Sequence, residues 1–204
     1  LTDGALTLSA EGAGSISVPA APDMAADAAG LLDALGIEQA DVVGASMGGM
    51  IAQHLAFEHP KRVRSVTSIM STTGHPAVGQ ASPEAIGVLL RPTPASRSEA
   101  INQGMAASKV ISGPLWDEDE ARRRATESYD RMFHPVGPAF QLAAIVASGD
   151  RTERLGTVRA PFLAIHGRLD PLIDVSGGVA TADAVPGAEL LLLDDMGHNL
   201  PRPL

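Results

Sequence analysis

A serine stands at a glycine-pinched junction in Gly44-Ala45-Ser46-Met47-Gly48-Gly49, directly after Asp41-Val42-Val43 and directly before Met50-Ile51-Ala52. A strand that passes at once into a helix through so tight a turn commits this part of the chain to a βα unit, and G-x-S-x-G at that junction is the pattern of a nucleophile elbow. Glycines two residues before and two after the serine, Gly44 and Gly48, remove Cβ atoms that would block the turn, whose central residue is held at strained φ/ψ. The turn lifts the Ser46 hydroxyl clear of the sheet. The plainer alternative is a small-residue βα turn carrying an ordinary surface serine. Strand before, helix after and two partners downstream favour the nucleophile.

The partners lie near the other end of the chain. Pro161-Phe162-Leu163-Ala164-Ile165 reads as a buried strand and His166-Gly167-Arg168-Leu169-Asp170-Pro171 as the loop after it. A second buried strand, Glu189-Leu190-Leu191-Leu192-Leu193, runs into Asp194-Asp195-Met196-Gly197-His198-Asn199. In a parallel sheet the loops that follow strands emerge on one edge, so Ser46, Asp170 and His198 can converge there. A serine hydroxyl is a weak nucleophile until an imidazole takes its proton, and a buried carboxylate must fix that imidazole's tautomer. His198 is the candidate base and Asp170 the candidate acid. Asp170 is preferred to Asp174, Asp150 and the pair Asp194-Asp195 because it stands just beyond a strand end, whereas Gly149-Asp150-Arg151-Thr152-Glu153 reads as a solvated loop.

The remaining histidines, His54, His59, His75, His134 and His166, have no metal-binding spacing, so the sequence calls for no metal and no cofactor. His166 is expected to end its strand by bonding locally, and His59-Pro60 to close the elbow helix. With 204 residues, 45% of them hydrophobic, the chain is long enough for one packed domain with an inserted segment. A net charge of −9 argues against a nucleic-acid partner, because a phosphate-binding face needs clustered lysine and arginine. The basic cluster Arg122-Arg123-Arg124 follows Asp117-Glu118-Asp119-Glu120, which reads as a solvated helix with acids near its start. No apolar stretch is long enough to span a bilayer, cysteine is absent, and the expected location is the cytoplasm.

Asp23 is placed to cap a helix running through Ala25, Leu31, Leu32 and Leu35, with Gly36 as its left-handed stop. A strand near Arg62 to Met70 follows the elbow helix. Residues 71–149 exceed what a crossover needs, which predicts a helical cap over the active-site edge, with core at 1–70 and 150–204. Cap helices should begin near Pro83, Arg97, Asp117 and Gly137. Met105, Leu115, Trp116, Met132 and Phe133 either line an apolar substrate pocket or, at helical spacing, form the cap's own core.

Ser46 in GASMGGMIAQ, the following EHPKRVRSVTSIMS, Asp170 in HGRLDPLI and His198 in MGHNLP together resemble the α/β-hydrolase family. From Asp23 onward the texture is similar to its bacterial carboxylesterase-type members, the group that includes aclacinomycin methylesterase. The resemblance implies an α/β fold, a mostly parallel sheet flanked by helices, and two-step acyl transfer on a small-molecule ester with Met47 donating its backbone N–H to the oxyanion. It also exposes a departure. The family begins with several strands and a loop, often His-Gly, that gives a second oxyanion donor, and residues 1–45 contain no histidine. The chain therefore resembles a hydrolase core that lacks the N-terminal strands, and loss of one donor costs on the order of a hundred- to a thousand-fold in rate.

Without those strands the elbow strand is left on an open apolar edge, a place for self-association. Ala5-Leu6-Thr7-Leu8 and Ser15-Ile16-Ser17-Val18, separated by Gly12-Ala13-Gly14, form a hairpin candidate that could cover it. Three functions stay open at this level: a serine ester hydrolase, a same-fold cofactor-free haloperoxidase or C–C hydrolase, and an inactive fragment that keeps the triad as inheritance.

Overall fold

In the computed structural model the described residues are 6–8, 16–18 and 20–201. Strands β1 (Leu6–Leu8) and β2 (Ile16–Val18) pair antiparallel, Leu6 opposite Val18. Helix α1 (Ala21–Ala34) follows, then β3 (Ala40–Ala45), α2 (Met47–Glu58), a 3₁₀ turn at Pro60–Arg62 and β4 (Val63–Ile69). After an inserted helical segment come α7 (Thr152–Leu155), β5 (Phe162–Gly167), α8 (Ser176–Ala184) and β6 (Glu189–Leu193). The four strands β3 to β6 lie side by side in chain order, every pair parallel.

Parallel neighbours need crossovers, and right-handed crossovers that always step the same way put their helices on one face. The core lies on that face. Ala25 and Ala29 of α1 and Ala52, Leu55 and Ala56 of α2 meet Val63 and Val66 of β4, Phe162 and Ala164 of β5, and Leu155, Val158 and Val185. The alanines let the two helices approach each other and the sheet closely. Where the sequence expects Asp23 as the cap of α1, the helix starts earlier: Ala20 is the cap residue and Asp23, one turn in, accepts the Ala20 N–H at 2.8 Å. Gly36 does stop the helix, at φ 66°, with the Ile37 N–H returned to the Leu32 carbonyl at 2.9 Å.

The inserted segment contains α3 (Pro83–Leu89), α4 (Arg97–Ile111), α5 (Glu118–Arg131) and α6 (Gly137–Ser148), beginning where the sequence places them. Ser82, Ser96 and Asp117 each accept a first-turn N–H as caps. Arg122, Arg123 and Arg124 lie exposed on α5 and pair with Glu118, Glu120 and Glu127, the solvated face expected of them. The five apolar candidates do not form one lining. Met105 is buried with Ala121 between α4 and α5, whereas Met132 is 75% exposed and Phe133 stacks on Tyr129 at the surface. Only Leu115 and Trp116 face a cavity of about 500 Å³, shared with Ser108, Arg124, Asn199 and Leu200.

The hairpin forms but does not cover the elbow strand. β1 and β2 make their own two-stranded sheet, which lies against α6, and β3 is an edge of the four-stranded sheet with Val43 68% exposed.

Candidate active site

Ser46, Asp170 and His198 follow β3, β5 and β6, so all three leave the sheet at its C-terminal edge. Ser46 turns the chain at φ 54° and ψ −121°, and its N–H donates to the Ile69 carbonyl of the neighbouring strand at 2.9 Å. Helix α2 starts at the next residue, so the Met47 amide is among the helix's first N–H groups, which have no partner within the helix. The glycines divide the work differently from the sequence expectation. A Cβ on Gly44 would sit 2.1 Å from the Gly48 carbonyl oxygen, so Gly44 is obligatory, but a Cβ on Gly48 would meet nothing within 4 Å. Gly49 is the second tight position, because its Cβ would lie 2.6 Å from that of Ser71.

The three side chains form one hydrogen-bonded line. His198 Nε2 lies 2.9 Å from Ser46 Oγ and His198 Nδ1 lies 2.7 Å from Asp170 Oδ2. A carboxylate only accepts, so Nδ1 carries the proton and Nε2 is free to accept the serine's. Asp170 Oδ1 accepts the N–H groups of Leu172 and Ile173 at 2.9 and 2.8 Å, which fixes the carboxylate plane. Burial pushes the Asp170 carboxyl up, but the imidazoles of His166 and His198 and the Ile173 N–H outweigh it and hold it at about 2. Asp170 is thus an anion at neutral pH.

Three of the competing acids have other partners. Asp150 accepts the Thr152 amide and hydroxyl, Asp174 accepts the Ser176 amide, and Asp194 pairs with Arg168. His166 bonds locally as expected, its Nε2 donating to the Ile173 carbonyl at 2.8 Å. It is also fully buried with Nε2 3.5 Å from Asp170 Oδ2, a second imidazole beside the acid that the sequence reading missed. The spacing of four residues in His166-Gly167-Arg168-Leu169-Asp170 was the available signal. Among the described residues no group of three or more His, Cys, Asp or Glu is arranged to hold a metal ion.

Arg151 was also missed, because it stands in a polar stretch that reads as a surface loop. It is 1% exposed, with Nε donating to Gln53 Oε1 at 2.9 Å, Nη1 to the Gly149 carbonyl at 2.8 Å and Nη2 to the Thr72 carbonyl at 2.9 Å. Its own N–H donates to the Thr73 carbonyl. One buried guanidinium therefore ties both ends of the inserted segment to the middle of the elbow helix. No carboxylate pairs with it among the described residues, and burial pulls it down to about 10 against the opposing pull of Asp150.

Comparison with known proteins agrees with this architecture. The alpha/beta hydrolase fold family matches residues 12–201. The 2-hydroxymuconate semialdehyde hydrolase of Pseudomonas putida is 30% identical over 178 residues, which cover 84% of this chain and 60% of that protein. Rhodomycin D methylesterase DnrP of Streptomyces peucetius is 26% identical over 201 residues, 88% of this chain and 67% of the esterase. Among solved structures, Est816, described as an N-acyl homoserine lactone degrading enzyme, superposes with a TM-score of 0.67 at 27% identity, covering 91% of this chain and 71% of its own. The chain thus spans about 60% of the Pseudomonas relative's length. Its named relatives are hydrolases, no helix of the described residues is long and apolar enough to cross a membrane, and the chain belongs to the alpha/beta hydrolase family.

Proposed function

We propose that this chain is a serine hydrolase that cleaves a carboxylic ester through an acyl-enzyme, with Ser46 as nucleophile, His198 as general base and Asp170 as the acid that orients it. The observation that carries this reading is the unbroken line from Ser46 Oγ through both nitrogens of His198 to an ionised Asp170. In the first step Oγ attacks the ester carbonyl carbon while its proton passes to Nε2, and the Met47 N–H stabilises the oxyanion. Collapse expels the alcohol, which leaves with the proton from Nε2. Water then attacks the acyl-serine, giving its proton to the same nitrogen, and the acid is released with Ser46 restored. The imidazolium formed in each half is stabilised by Asp170, which stays a carboxylate throughout.

The Streptomyces methylesterase supports ester cleavage, and the Pseudomonas semialdehyde hydrolase favours a second reading, in which the same serine and histidine act on a C–C bond beside a carbonyl. The two are separated by assay. Turnover of p-nitrophenyl acetate and butyrate, with a burst of nitrophenolate equal to the enzyme present and lost in Ser46→Ala, is the expected result. A folded chain with no burst and no turnover above Ser46→Ala would overturn the ester reading.

A further inference from the structure

The loop that carries His198 is held from two sides. On one side is the loop of the acid: a Cβ on Gly167 would sit 2.0 Å from the Met196 carbonyl oxygen, and the Leu169 N–H donates to that oxygen at 3.1 Å. On the other side is the inserted segment. The backbone N–H of His198 itself donates to the carbonyl of Ile111, the last residue of α4, at 2.7 Å. Just beyond, Gly113 and Gly197 press backbone on backbone. A Cβ on Gly113 would lie 2.8 Å from both the Asp195 oxygen and the Gly197 nitrogen, and a Cβ on Gly197 would lie 2.4 Å from the Gly113 nitrogen. Met196, between these contacts, is fully buried.

Helix ends leave carbonyls without intrahelical partners, and here one of them is satisfied by the amide of the proposed base. We propose that the end of α4, through Ile111 and Gly113, is a positioning element for His198: seating of the inserted segment against the histidine loop sets the imidazole between Ser46 and Asp170. The consequence for rate rests on the hydrolase reading above, whereas the placement of the imidazole does not.

Gly113 allows a clean steric test, since it does not use positive φ and alanine changes only the space it fills. Gly87, on α3 with nothing within 4 Å of its Cβ position, is the control. In chain labelled with ¹⁵N-histidine, the His198 Nδ1 proton bonded to Asp170 is followed by NMR. In Gly113→Ala this proton is expected to exchange with solvent at least tenfold faster, and fluorophosphonate labelling of Ser46 to slow at least tenfold. Gly87→Ala should match the parent, and thermal unfolding should show both variants folded. An unchanged proton and labelling rate in folded Gly113→Ala would overturn the proposal. A parent that is never labelled removes the hydrolase reading alone, because the imidazole proton still decides the placement. Should Gly113→Ala not fold, amide exchange on the parent decides it: the His198 amide is expected to open together with Ser112 at the end of α4 as denaturant is added. A His198 amide that opens while α4 stays protected would overturn the coupling.

Discussion

Ser46 occupies φ 54° and ψ −121°, a conformation that side chains rarely adopt, and such a residue costs on the order of 1–3 kcal/mol that the surrounding structure must offset. Removing the hydroxyl alone keeps that strain, whereas removing Cβ relieves it at the expense of a more flexible unfolded chain. Ser46→Gly is therefore expected to unfold at higher denaturant than Ser46→Ala, by about 1 kcal/mol, though neither has a nucleophile. Equal midpoints would show that the elbow is unstrained. For Asp170 the sign follows from its depressed carboxyl. The folded state binds this proton less readily than the unfolded state, so its contribution is present above the ordinary carboxylate value. It is lost as pH falls from about 4 towards about 2. Asp170→Asn should flatten that acid limb of the stability curve and lower ester turnover by roughly 10³–10⁴ through the wrong imidazole tautomer. Acid unfolding that is identical in the two proteins would contradict the assignment.

Among the elements, the elbow was legible because everything it needs is local: strand, glycine, serine and helix stand consecutively in the sequence. Gly48 shows the limit of that reading, since which glycine is crowded depends on Ser71 and on the returning carbonyl, neither of which a motif describes. The helices of the insertion were legible from their caps and charges. Which way they face was not, and Met132 and Phe133 ended outside because α5 stops at Arg131 and Met132 leaves it in extended backbone. Arg151 was also illegible, as its burial comes from Gln53, Thr72 and Gly149, brought together only by the tertiary fold. A cation that no carboxylate pairs with among the described residues holds three acceptors there, and Arg151→Met would strip this donor from Gln53 Oε1 and the Gly149 carbonyl and leave the Thr72 carbonyl only Gln53 Nε2. We expect a loss of about 2–4 kcal/mol, read as a lowered denaturant midpoint, with ester KM raised as the insertion loosens. A midpoint within experimental error of the parent would show that the guanidinium does not tie the insertion.

At the scale of the molecule, neighbouring strands of the four-stranded sheet are all parallel, so the loops that follow them leave at one edge, and this is why serine, acid and base could be placed together from the sequence. The hairpin's strands were also legible, but their destination was not, because antiparallel pairing of two short strands does not specify what they lie against. β3 stays an edge of the four-stranded sheet with Val43 exposed, and such an edge offers unpaired backbone groups as a template for another strand. Sedimentation is expected to show self-association that Val43→Lys reduces. A strictly monomeric parent would contradict it. The most direct test of the account is reaction with a fluorophosphonate followed by peptide mass spectrometry. We predict one adduct, on Ser46, absent in Ser46→Ala and formed at least a hundredfold more slowly in His198→Ala. A folded chain that stays unlabelled, or that labels equally fast without His198, would contradict the claim that these residues act as one unit.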